Sequence, residues 1–122
     1  MDYFDSFENL LEKFAPSYKH LIIMGDFNTC LLKNDRRAIR LKTTVNGANM
    51  HILPLSSTHT FPNCTPSLLD LILVSSTDHV ASHGQCNATA FSYHDLIFLS
   101  YKLRPPKAKK IIRKEKQCKN EI

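Results

Sequence analysis

No run in the 122-residue sequence approaches the roughly 18 consecutive apolar residues of a membrane span. The opening MDYFDSFENL is acidic and lacks both the charged start and the apolar stretch of a secretory signal, so neither membrane insertion nor export is expected. The four cysteines (Cys30, Cys64, Cys86, Cys118) contain no C-x-x-C pair, which argues against a structural zinc site and against a disulfide framework. These absences describe a reduced, intracellular protein. There is no internal repeat, and the body of the chain lacks the basic excess that a net charge of +5 suggests. Residues 104–122 hold eight of the sixteen Lys and Arg with two acids, a local net of +6, and the first 103 residues carry −1. The basic charge therefore belongs to an appendage, a solvated linker or a segment that contacts an anionic polymer. With 43% hydrophobic and 22% charged residues, the rest has the composition of one small globular domain.

Phe4, Phe7, Leu10, Leu11 and Phe14 recur at three- and four-residue steps, which predicts an amphipathic helix over residues 3–14, ended by Pro16. Leu21-Ile22-Ile23-Met24 is short, continuous and apolar, and reads as a strand buried on both faces that delivers Gly25-Asp26-Phe27-Asn28 at its end. One short helix is expected around residues 38–44, before Asn46-Gly47 turns the chain, and a short strand over residues 51–55. Leu68 to Val74, interrupted only by Asp70, is the most strand-like run in the chain. Residues 80–92 read as small, polar and loop-like, Leu96 to Tyr101 as a last strand, and Arg104-Pro105-Pro106 as its stop.

Asp70 stands within an apolar run, and burying an ionised carboxylate costs several kcal/mol unless it is paired. An imidazole is an economical partner. His94, just ahead of another apolar run, would supply it, and the pairing would fix the ring tautomer and favour a cation able to face a phosphate. Asp26 and Asn28 are either polar groups delivered to the same place or ordinary turn formers after a strand. The other five histidines (His20, His51, His59, His79, His83) are expected in surface or packing roles, because none forms an i, i+4 pair in a convincing helix.

The blocks Leu21-Ile22-Ile23-Met24-Gly25-Asp26-Phe27-Asn28, Thr58-His59-Thr60-Phe61, Ser67-Leu68-Leu69-Asp70 and Ser92-Tyr93-His94-Asp95-Leu96-Ile97 occur in an order that resembles the C-terminal half of the endonuclease/exonuclease/phosphatase family. More narrowly, they look like the apurinic-type endonuclease domain of non-LTR retrotransposon polyproteins. The resemblance implies an α+β fold, part of a four-layer α/β/β/α sandwich of the DNase I-like kind, with mostly antiparallel sheet and an outer helix. It places the half-domain at residues 1–103 and a basic tail or linker at 104–122. It also implies Mg²⁺-dependent phosphodiester hydrolysis on DNA. Asp26 would handle the attacking water, Asn28 orient the phosphate, Thr60 and Ser67 contact the substrate, Asp70 orient His94, and His94 stabilise charge on the phosphoryl oxygens.

Two positions depart from the family pattern. Tyr93 stands where the family has an acid or Asn, and a phenol is a poor Mg²⁺ ligand. The family's metal-binding Glu belongs to strands ahead of the G-D-F-N block, and Glu8 and Glu12, on the predicted helix, do not replace it. The expectation is a truncated endonuclease, inactive alone and nuclear, whose partners are DNA and a chain or segment supplying the other half. Its uncovered sheet face would expose apolar side chains. A non-catalytic nucleic-acid-binding module is the alternative, and a reading frame without selected function a third.

Overall fold

The computed structural model describes residues 3–104, so the basic tail lies outside the described residues apart from Arg104. In chain order the elements are α1 (Tyr3–Phe14), β1 (Ile22–Asp26), α2 (Arg36–Gly47), β2 (His51–Ile52), β3 (Asp70–Val74), a 3₁₀ turn (Thr77–His79), β4 (Val80–Cys86) and β5 (Leu96–Tyr101). One antiparallel sheet has the order β1-β3-β2, and β4 pairs with β5 in a second. This is mixed helix and antiparallel sheet, an α+β arrangement. The two helices fall where the sequence places them, and the strands divide between two sheets.

Strand β3 is buried along its whole length because both of its faces are covered. Leu71 and Leu73 join Phe4, Leu11, Leu41, Val45 and Met50 under the two helices, while Ile72 and Val74 pack with Leu53, Ile97, Leu99 and Tyr101 on the other side. Alternation of side chains along a strand makes this division. The helices are tied to each other by Arg40 Nη2 on Asp5 Oδ1 at 2.8 Å, and the Arg37 and Arg40 guanidinium groups lie 4.9 and 5.0 Å from the Phe4 ring.

Four expectations need correction. Strand β1 is not buried on both faces: it is a sheet edge, and while Ile23 packs under the helices, Ile22 and Met24 are 37% and 41% exposed. Helix α2 is longer than the residues 38–44 expected. The Asp35 carboxylate caps it by accepting the Ala38 N–H at 2.9 Å, and the chain turns at Asn49 (φ 57°) rather than at Asn46-Gly47. Strand β2 spans only His51–Ile52. Residues 80–86, read as loop, form β4, whose polarity reflects outward-facing positions and the service of His83 and Gln85 as hydrogen-bonding groups to the 54–57 backbone. Leu96 and Phe98 on β5 are 63% and 42% exposed, so an apolar sheet surface is indeed uncovered.

Candidate functional site

The two sheets are linked by residues 58–60. His59 pairs with Ser67, just ahead of β3, on one side and with His94, just ahead of β5, on the other. The Thr58 hydroxyl, fully buried, accepts the backbone N–H groups of Leu69 and Asp70 at 3.1 and 3.0 Å, and Asp95 N–H donates to Thr58 O. This short segment is what lays His94 beside Asp70. Across the other edge of β3, Asp26 stands directly opposite Asp70 in the β1–β3 register.

The G-D-F-N block has a distinct task at each position. Gly25 takes φ +148°, a conformation that side chains disfavour, and so re-aims the chain at the end of β1. Phe27 is buried edge-on against Phe7, with its N–H bonded to Leu69 O at 2.8 Å. Anchored there, the exposed Asp26 projects from the sheet end, and its Oδ1 accepts the N–H of Asn28, which sits at φ 49°.

His94 donates from Nδ1 to Asp70 Oδ2 at 2.8 Å, and its Nε2 lies 3.9 Å from Asp26 Oδ2. The second separation is too long for a hydrogen bond, so Nε2 is available to a ligand. The hydrogen bond to Asp70 raises the affinity of His94 for a proton; partial burial opposes this, and the charges of Asp70 and Asp26 reinforce it. The arrangement favours an imidazolium, set between two carboxylates at one end of the sheet. A cleft of about 580 Å³ lined by His59, Phe61, Phe91, Tyr93 and His94, among others, opens beside it. A larger cavity of about 860 Å³ between α1 and α2 includes none of these groups.

Asp26, Asp70 and His94 are thus brought together, with Asn28 at their rim. Thr60 is exposed and contributes its N–H to Tyr93 O at 2.9 Å, and the Tyr93 ring packs on Phe61 at 4.6 Å. Ser67 exchanges backbone hydrogen bonds with His59 and turns its hydroxyl to the Cys30 thiol. Burial pushes that thiol up, but the N–H groups of Leu68, Leu32 and Lys33 and the Ser67 hydroxyl outweigh it and hold Cys30 below its usual value. Sequence reasoning missed Thr58, whose role comes from its contacts with Leu69 and Asp70 rather than from any local signal. It also missed Gln85, which donates to Asp95 Oδ2 at 2.9 Å, and His59, whose ring lies 4.6 Å from His94.

The ligand atoms of Asp26, Asp70 and His94 all lie within 4.8 Å of one another. Their chemistry fits a divalent cation, since two carboxylates suit a hard ion that keeps much of its water. Their number fits poorly, because Asp70 is committed to His94 and a protonated His94 is no ligand. Asp26 would carry most of the coordination.

The profile of the endonuclease/exonuclease/phosphatase family matches residues 2–94. No curated protein and no solved structure matches the chain.

Proposed function

This chain belongs to the endonuclease/exonuclease/phosphatase family, and we propose that Asp26, Asn28, Asp70 and His94 are the phosphate-handling residues of a DNA endonuclease of the non-LTR retrotransposon kind. The observation that carries the reading is the Asp70–His94 hydrogen bond of 2.8 Å with Asp26 facing the free edge of the same imidazole. In this account the Asp26 carboxylate takes the proton of the attacking water, and Asn28 orients the phosphate. His94 Nε2–H donates to a phosphoryl oxygen as negative charge builds there, and Asp70 holds the ring in the tautomer and charge state that make this possible. A divalent ion, held chiefly by Asp26, would supply Lewis-acid stabilisation of the phosphoryl oxygens. The exposed aromatic rings of Phe61, Phe91 and Tyr93 beside His94 suit the unstacked bases of a nucleic acid.

The same geometry supports inactivity of the isolated 122 residues. One carboxylate cannot both anchor His94 and complete a metal site, and Tyr93 offers no replacement ligand. The partner that would restore activity is a segment carrying a further metal-binding carboxylate, acting with DNA in the nucleus. The test is nicking of supercoiled plasmid in Mg²⁺. The chain alone is expected to leave the plasmid intact, and the chain with Tyr93→Asp, fused to the family's other half, to nick it in a manner lost in His94→Ala. Nicking by the chain alone, abolished by EDTA and by His94→Ala, would overturn the inactivity. Failure of an otherwise folded fusion would overturn the assignment.

A further inference from the structure

Strands β1, β3 and β5 run between two clusters of polar side chains. Asp26, Asp70 and His94 occupy one set of ends; at the opposite ends, His20 precedes β1, His79 closes the 3₁₀ turn after β3, and Tyr101 is the last residue of β5. The rings of His20 and His79 lie 4.5 Å apart at 66°, and Tyr101 packs on both, 5.6 Å from His20 and 5.7 Å from His79. His20 Nδ1 is 2.9 Å from the Tyr101 hydroxyl, and His79 Nδ1 is 2.8 Å from the Ser76 hydroxyl. Among the described residues, neither Nε2 has a hydrogen-bond partner.

We propose that His20 and His79 form a site for a borderline transition-metal dication such as Zn²⁺, distinct from the phosphate-handling residues. Each imidazole would ligate through Nε2 while Nδ1–H donates to a hydroxyl oxygen, with water in the remaining positions. The arrangement has two features that metal-binding histidines need. Both rings are held by a hydrogen bond at the nitrogen away from the ion, which fixes their direction, and a hydroxyl partner can accept Nδ1–H so that Nε2 keeps its lone pair. The 4.5 Å between their ring centroids is also short enough for both rings to share one ion at the usual Zn–N distance of about 2.0–2.1 Å. Partial desolvation, then the neighbouring His79 and Lys19, depress the proton affinity of His20. Imidazole donors favour Zn²⁺, Ni²⁺ or Cu²⁺ over Mg²⁺, which prefers oxygen. Lys19 disfavours a cation there and is therefore an independent handle on the affinity. An ion at this place would join the start of β1, the turn after β3 and the end of β5, and would stabilise the folded chain by mass action.

The experiment follows the histidine ring ¹H–¹³C resonances of the full chain while ZnCl₂, and separately MgCl₂, is added. Zn²⁺ is expected to shift His20 and His79 together in one saturable step that Mg²⁺ does not reproduce and that persists in His94→Ala. His20→Asn and His79→Asn should abolish the step, Lys19→Gln should tighten it, and Tyr101→Phe, which keeps the ring packing, should weaken it about 10–100-fold. If a histidine variant fails to fold, Tyr101→Phe and Lys19→Gln carry the test. Unmoved His20 and His79 resonances while Zn²⁺ is taken up elsewhere, or separate binding curves for the two rings, would overturn the proposal.

Discussion

The Nδ1 of His94 and the Oδ2 of Asp70 lie 2.8 Å apart although 24 residues separate them in sequence. His94 stands outside β5 and Asp70 begins β3, so the contact depends on the intervening residues 58–60 holding both strand starts together. It gives a buried carboxylate the cationic partner it requires and leaves the other edge of the ring facing Asp26 and solvent.

This pairing makes stability depend on pH in a defined direction. The proton affinity of His94 is raised in the folded chain above the ordinary value of 6.5, chiefly by the hydrogen bond to Asp70. Its contribution is therefore fully present below about pH 6.5 and is lost as the pH rises through the folded value. Urea unfolding across this window should show a falling stability in the native chain and a flatter profile in Asp70→Asn. Equal slopes in the two would remove the coupling.

Thr58→Val keeps the shape of the side chain and removes the one oxygen that receives both Leu69 N–H and Asp70 N–H. Each orphaned amide costs about 1–3 kcal/mol. The denaturation midpoint should fall accordingly, with Thr58→Ser close to the native chain and the His94 titration of Thr58→Val shifted toward the ordinary value as Asp70 loses its footing.

At Gly25, an added Cβ meets nothing within 4 Å, so Gly25→Ala introduces no clash and any cost comes from φ +148° alone. Such strain is worth about 1–3 kcal/mol. A lower urea midpoint at an unchanged m-value is the expected result; a neutral Gly25→Ala would mean that the backbone does not need this conformation to present Asp26.

Deleting residues 107–122 removes seven Lys and Arg from the chain. If the tail contacts DNA, the deletion should lower the dependence of the binding constant on salt, because fewer phosphate counterions are released. An unchanged slope would make it a linker.

Much of this organisation was legible in the residues, for physical reasons that differ by element. α1 was readable because its apolar spacing matches the helical repeat over three turns, and β3 because it is apolar on both faces and buried on both, whereas the equally apolar β1 lies at a sheet edge. The Asp70–His94 pairing followed from the cost of burying an unpaired carboxylate. Strand β4 was not readable, since its side chains are spent on hydrogen bonds to the 54–57 backbone and on solvent, leaving no alternation to detect. The end of α2 was misplaced because Asn46-Gly47 is a turn signal that the helix overrides, the left-handed residue being Asn49. Thr58 looked like any polar residue before a loop, because its role depends on the register between residues 58–59 and Ser67, which no local pattern encodes.

The central claim is that His94 is the group that meets a phosphodiester, and titration of a short DNA duplex into ¹³C-histidine-labelled chain tests it most directly. The account predicts a saturable shift of the His94 ring resonances, strongest where the imidazole is protonated and reduced in Asp70→Asn, while His51 and His83 stay in place. DNA binding that leaves His94 unmoved would contradict it.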